Sequence, residues 1–465
     1  MGENAHGRLK KGVFAGFFAV AVRIAFQFLQ MPILYAYWPS DQATAWLLVW
    51  TLPSFIALGA GAFSTAGGNQ VVLASGQGDI AGARAAFRAT QLAIAMSVTV
   101  LAVLALVLFP LILDLSAWGV APTTMYLTLL AIAAYVGATI IGSSLQVAYR
   151  HGGDYGGFGL IDGLVCLGEL IVLLAVVMLS TELWLLPTCL ALLRLGTALA
   201  VWRIARRRWS ELFILPEPGQ VRAALKALLV PFLGFMTAPL LLAVNLNGYA
   251  MLVGTLFGPA LFATYLTVRT LVRLADMGIN MSYSVLSLEL SYWTGPDQTD
   301  RIVRFAAGVA VAGFGLCTAY AVLLLLLGSP FQQAWTLGKV SFDPALALAL
   351  GLCVILRAIQ TPFTALLASR NAHTLPNTIY LVATLATFGI SLVSARLGAL
   401  LAVVAAWQVL AEVLQLLVVG YYSAKLLERP LGGFALAIVR EGPAGLVELA
   451  RRFSGRQSRG LEGTK

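Results

Sequence analysis

The chain has 465 residues, of which 60% are hydrophobic and only 11% charged. A soluble domain carries about 25% charge, so a chain this long and this apolar cannot cover itself with polar surface in water. The net charge of +10 would suit a nucleic acid, but the placement of the basic residues argues against that reading.

In lipid every backbone polar group must be satisfied internally, which leaves helices or a closed barrel. Barrel strands alternate apolar and polar residues over about ten positions. Here the apolar runs are continuous and as long as a spanning helix needs, about twenty residues. In chain order the predicted helices occupy 12–35, 43–67, 85–113, 124–148, 158–179, 184–204, 225–247, 259–287, 301–328, 343–368, 375–396 and 398–425. The first run is too long for a signal-peptide core, and no small-residue cleavage site follows it, so it reads as a span.

The connections between these helices alternate in charge. One set carries Arg8, Lys10 and Lys11, then Arg84 and Arg88, then Arg150. It continues with Arg203, Arg206, Arg207, Arg208, Arg222 and Lys226, with Arg301 and Arg304, with Arg370, and with the basic tail from Lys425. The opposite set holds only Lys339 and Arg396. Basic loops stay on the cytoplasmic side, which predicts that both termini are cytoplasmic. The basicity is then topological, held at an anionic leaflet, and no nucleic-acid partner is expected. A missed or invented helix would scramble the alternation, so its regularity supports about 12 spans.

A weak internal repeat divides the chain. GQGDIAGARAAFR (76–88) follows the second helix, and TGPDQTDRIVRF (294–305) follows the eighth. Both place Gly and Asp before an Arg-bearing helix, and Asp79 and Asp297 are expected to cap those helices. The first and seventh helices both carry proline, at Pro32 and at Pro231 and Pro239. Paired halves with interrupted helices point to a transporter with its site between them. The expected organisation is an N-lobe over 1–204, a basic linker over 205–224, a C-lobe over 225–425 and a cytoplasmic tail over 426–465. The fold class is therefore an all-α polytopic membrane protein of about 12 transmembrane helices in two six-helix lobes around a central cavity.

Charges inside the bilayer are costly, so they should face a bundle interior or a watery cavity. Arg23, Arg194, Arg269, Arg273 and Arg357 sit near the middle of predicted helices, against the deep acids Glu169, Asp276 and Glu412. Asp162 and Glu289 lie nearer the rim. Tyr265, Arg269, Arg273, Asp276 and Asn280 recur every three or four residues and form one stripe on the eighth helix. Arg23, Gln27 and Gln30 do the same on the first. Arg357, Gln360, Thr361 and Thr364 form a third stripe, and Gln408, Glu412 and Gln415 a fourth. Arg273 and Asp276 could simply pair, as could Arg194 and Glu169, and Arg357 reads equally as counter-ion or cavity lining. Acids are too few to neutralise every arginine, and a surplus of buried guanidinium groups implies an anionic ligand, since the fork of donors fits phosphate oxygens. Glu412 and Asp276 are the better candidates for carrying a coupling proton or sodium ion; which ion, if any, is left open.

Several chemistries find no motif. There is no GxxxxGK[ST] loop for ATP, no HExxH, and no Ser/His/Asp set. Cys166, Cys189, Cys317 and Cys353 lie inside apolar runs without CxxC spacing, and His6, His151 and His373 are scattered in loops, so no metal is expected. The glycines of 59–68 and 152–159 read as close helix packing and a loop turn.

Three segments carry a family resemblance. Residues 29–89, from LQMPILYAYWPSD to GQGDIAGARAAFRA, form a helix–loop–helix unit with a Gly-Asp helix start. Residues 230–277 place a short Gly-containing loop before a Tyr–Arg helix, and the third segment is the basic connection before them. Together they resemble the polysaccharide flippases of the multidrug/oligosaccharidyl-lipid/polysaccharide exporter superfamily. The resemblance implies two six-helix lobes around a V-shaped cavity, in a bacterial inner membrane. It implies movement of undecaprenyl-pyrophosphate-linked oligosaccharide from inner to outer leaflet, with no enzymatic step and no cofactor. By position Arg23, Arg269 and Arg273 would meet the pyrophosphate, with Arg357 a fourth candidate. Gln27, Gln30, Tyr265, Asp276, Asn280, Gln360, Gln408 and Glu412 would line the cavity. The implied partners are the polyprenyl-pyrophosphate-linked glycan, membrane lipids and other polysaccharide-export machinery. Cell-wall-precursor flippases of this type commonly have fourteen helices, and an acidic residue often follows the Asn of their seventh helix, where Asn245 and Asn247 stand here. The rival readings are a multidrug cation antiporter of the same superfamily, a membrane glycan polymerase or ligase, and a scaffold. A polymerase would want a large outer loop, and the longest one expected spans only 329–342.

Overall fold

A computed structural model describes residues 2–51, 53, 58–112, 120–292, 298–370, 372–430, 432, 436 and 440–447. Among them the secondary structure is helical throughout. The helices are α1 (Gly2–Tyr37), α2 (Ser40–Val49), α3 (Leu58–Gly76), α4 (Ile80–Ile112), α5 (Pro122–Ser144), α6 (Gln146–His151), α7 (Tyr155–Leu179) and α8 (Leu185–Arg208). They continue with α9 (Pro218–Ala243), α10 (Tyr249–Leu256), α11 (Gly258–Tyr292), α12 (Thr299–Trp335), α13 (Pro344–Ser369), α14 (Thr374–Arg396) and α15 (Leu401–Leu426). Every one of the twelve predicted helices is present. The second is represented by α2 and α3, with 52 and 54–57 outside the described residues, as are 113, Asp297 and the tail arginines Arg451, Arg452, Arg456 and Arg459. Eight of the described helices are long and apolar enough to cross a membrane.

Local chemistry sets the helix ends. Asp79 accepts the Gly82 N–H at 2.8 Å, which is the predicted cap of α4. Asp154 accepts from Gly157 at 3.1 Å and Asp343 from Leu346 at 3.0 Å in the same way. Pro122, Pro218 and Pro344 open α5, α9 and α13, where a missing N–H costs no intrahelical bond. The predicted seventh helix contains a feature that the sequence pattern did not reveal. Val244–Gly248 is a π-helical turn between α9 and α10, and it holds Asn245 and Asn247. Such widened turns recur at functional sites.

The chain divides into two compact units. One comprises Met1–Ala263 with Gln333–Val340, the other Thr264–Gln332 with Ser341–Lys465. In the first, α1 packs along α7, α5 along α8, α3 along α4, and α9 against both α3 and α4. At one end of this unit Tyr149, Val71, Phe87, Ala148 and Leu212 form a buried apolar cluster, and Phe158 and Trp209 pack against it. The 3₁₀ turn Ser210–Phe213 is tied there, with Arg84 Nε donating to the Glu211 carbonyl at 2.6 Å. His151 bridges Ser75 Oγ at 2.6 Å and Glu211 Oε1 at 3.2 Å. In the second unit α13 and α14 both pack on α15.

Pro231 lies within α9 and has no N–H to give to the carbonyl of Ala227, four residues back. The side chain of Gln70 takes that place, with Nε2 donating to Ala227 O at 3.2 Å. A kink-prone helix is thereby stitched to α3.

Candidate functional site

In the first unit the charges form one connected chain. Arg194 on α8 grips Glu169 on α7 with two parallel bonds, Nε to Oε1 at 2.6 Å and Nη2 to Oε2 at 2.8 Å. This is the pairing that the sequence allowed for. Tyr135 on α5 donates its hydroxyl to the same Oε1 at 2.9 Å. Arg194 Nη1 also lies 3.6 Å from Asp162, and Asp162 is ion-paired to Arg23 on α1. Two guanidinium groups thus face two carboxylates, and the cluster is neutral. Arg23 keeps 59% of its side chain exposed, so it is paired and still reachable. One turn on, Gln27 is half-buried and Gln30 is buried.

The second unit has a different balance. Arg357 on α13 lies between two carboxylates. Its Nη1 is 2.8 Å from both oxygens of Asp276 on α11, and its Nε is 2.9 Å from Glu412 Oε1 on α15. Tyr380 on α14 donates to the same Glu412 oxygen at 2.7 Å, and Gln360 Nε2 donates to the other at 3.0 Å. Glu412 is almost fully buried, so these three donors replace the water it has lost. Thr361 and Thr364 turn their hydroxyls back onto the carbonyls of Arg357 and Gln360, at 2.7 and 3.0 Å, and are satisfied within α13.

That network leaves Arg273 outside the salt bridges among the described residues. Asp276 is three residues from Arg273 but is engaged by Arg357, and Arg273 makes no salt bridge with any described residue. Arg273 is half-buried. One turn back, the Arg269 guanidinium lies over the ring of fully buried Tyr265, 5.7 Å from its centroid, a cation–π contact. Among the described residues Arg357 takes both nearby carboxylates, Asp276 and Glu412. Gln408 is buried on α15, and Asn280 is exposed at the far end of the stripe.

Both units share a device that the sequence pattern did not flag. Each joins a Tyr, a Glu and an Arg from three helices, Tyr135, Glu169 and Arg194 in one and Tyr380, Glu412 and Arg357 in the other. The neighbours of these tyrosines at helical spacing are threonine and asparagine (Thr139 for Tyr135, Asn377 and Thr384 for Tyr380), so nothing local pointed to their glutamates.

These features define an all-helical, multi-pass membrane protein that carries charge within its spanning helices. Its fold is that of two solved transporter structures. One is a multidrug resistance MATE family transporter of the MOP superfamily in an inward-facing conformation, with TM-score 0.70 and 13% identity over 89% of this chain and 98% of that one. The other is the lipid II flippase MurJ in an inward closed conformation, with TM-score 0.61 and 13% identity over 95% of this chain and 98% of that one. At this identity the likeness is one of fold. No protein-family model matches the sequence, and no curated protein matches it.

Proposed function

We propose that this protein is a flippase that moves undecaprenyl-pyrophosphate-linked oligosaccharide from the inner to the outer leaflet of a bacterial inner membrane, with both termini cytoplasmic. The observation that carries the proposal is Arg273, a half-buried guanidinium group on α11 that makes no salt bridge with any described residue. A guanidinium group held in a spanning helix without a carboxylate is stable only beside water or an anion. A pyrophosphate diester supplies that anion and matches the donor fork. That one solved protein with this fold is a lipid II flippase supports the same substrate class.

The mechanism is alternating access without covalent chemistry. Arg273 and Arg269 draw the pyrophosphate while the polyprenyl tail remains in lipid. Arg357 and Arg23 are already held by Asp276 and Asp162, so they engage the ligand only as those carboxylates yield. Gln27, Gln30, Gln360, Gln408 and Asn280 supply hydrogen bonds to sugar hydroxyls. Glu412 and Asp276 are the groups placed to take up a coupling cation when Arg357 shifts toward the ligand.

A second reading is a multidrug cation exporter, favoured by the carboxylate pair Asp276 and Glu412 and by the other solved neighbour. Binding by the purified protein separates the two. A short undecaprenyl-pyrophosphate-linked sugar should bind, and should bind less well to Arg273→Ala and Arg23→Ala. Binding of an organic cation alone would favour the exporter.

A further inference from the structure

Pro32 stands inside α1. A proline nitrogen carries no hydrogen, so the carbonyl of Phe28, four residues back, loses its usual α-helical donor. Trp335 fills the gap. Its indole Nε1 donates to Phe28 O at 2.9 Å, and the two rings lie 5.1 Å apart. The last carbonyls of α1 lack intrahelical donors for a different reason, because the helix ends. Lys339 supplies them, with its ammonium donating to Tyr35 O and lying 3.4 Å from Trp38 O. A cation here also meets the negative end of the helix dipole.

Both anchors come from one segment, Gln333–Val340. It belongs to the first compact unit, although the residues on either side of it belong to the second. It runs from the last residues of α12 into a tight turn, with Gly338 N–H donating to Gln333 O at 2.7 Å. Leu337 and Gly338 both take left-handed backbone, at φ 55° and 74°. For leucine that conformation is unfavourable, and it persists because the residues around it are fixed: Thr336 and Val340 are buried.

We propose that Gln333–Val340 is a releasable strap over the outer end of α1, and that its release is a step in opening the protein to the outside. The Trp335 anchor ends on the carbonyl that Pro32 deprives of its usual donor, and the Lys339 anchor ends on carbonyls at and just past the end of α1, so the strap is specified by Pro32 and by the position of the helix end. The Trp335 anchor is one hydrogen bond and the Lys339 anchor two, each with a modest net contribution, so the strap is held by few bonds. The proposal rests on the transporter reading and on cytoplasmic termini.

The test uses full-length protein in right-side-out vesicles, with Cys166, Cys189, Cys317 and Cys353 replaced by Ala and Val340→Cys as the reporter. A membrane-impermeant maleimide reads how often the buried position 340 is uncovered. Trp335→Phe should speed labelling by about tenfold, the equivalent of one lost hydrogen bond, and Lys339→Met, which loses two, by at least as much. Pro32→Ala returns an N–H to Phe28 O, so in that background Trp335→Phe should have little effect on the rate. Labelling that ignores both single variants, or a Trp335→Phe effect equally large beside Pro32→Ala, would overturn the strap. The Lys339→Met arm decides the matter if Pro32→Ala does not fold. Labelling confined to inside-out vesicles would overturn the orientation. Binding of the pyrophosphate-linked lipid, measured on the same variants, tells failure of the strap from failure of the transporter reading: if the lipid binds and labelling is unresponsive, the strap alone is wrong.

Discussion

Arg357 holds Asp276 and Glu412 at once, reaching both oxygens of the first at 2.8 Å and an oxygen of the second at 2.9 Å. One guanidinium group therefore occupies two carboxylates from two other helices, and Arg273, on the same helix as Asp276, makes no salt bridge with any described residue. The separation of a paired arginine from one outside these salt bridges has consequences that differ in sign.

Removing the paired arginine should be structurally costly. Arg357→Met leaves two carboxylates without their cation, and breaking a buried pair from one side costs about 3–5 kcal/mol. Thermal unfolding in detergent should show a large fall in Tm. Adding Asp276→Asn and Glu412→Gln to the same variant removes the stranded charges and should recover most of the loss.

Removing only the carboxylate should favour the ligand. Asp276→Asn frees the Nη1 donors of Arg357. A charge-assisted hydrogen bond is worth about 1.5–3 kcal/mol, so affinity for the pyrophosphate-linked lipid should rise by about tenfold in an equilibrium titration. Unchanged affinity would mean that Arg357 does not reach the ligand.

Tyr135→Phe is the control for a purely structural network. It deletes the 2.9 Å bond to Glu169 and leaves an under-satisfied buried carboxylate. The expected result is a loss of about 1–3 kcal/mol in stability, with lipid binding unaltered.

The stitch at Pro231 gives a second structural test. Gln70→Leu should cost about 1 kcal/mol, because the Ala227 carbonyl loses its donor. In a Pro231→Ala background the helix supplies that donor itself, and the cost should disappear from the melting curve.

The spans were legible in the sequence because hydropathy is a property of contiguous residues. So was the Asp79 cap, three residues from its donor, and so was the Arg194–Glu169 pair, on neighbouring helices. The α11 stripe was legible as a stripe, but the partners of its charges were not. Asp276 had an arginine three residues away and instead pairs with one 81 residues away. Tyr135 and Tyr380 find their glutamates across helices, 34 and 32 residues away, and no spacing within one helix marks that pairing. Trp335 meets Phe28 across 307 residues. Pro32 announced an orphan carbonyl, yet nothing in the order of residues says which side chain fills it. Helix existence is a local question; the neutralisation of a charge depends on which helices pack together.

The most direct measurement is transbilayer movement of a fluorescent undecaprenyl-pyrophosphate-linked sugar in proteoliposomes, comparing wild type with Arg273→Ala and with Tyr135→Phe. The account predicts movement by the wild type and by Tyr135→Phe, and a fall of about tenfold or more for Arg273→Ala with Tm preserved. No movement by the wild type, or equal movement by Arg273→Ala, would contradict it.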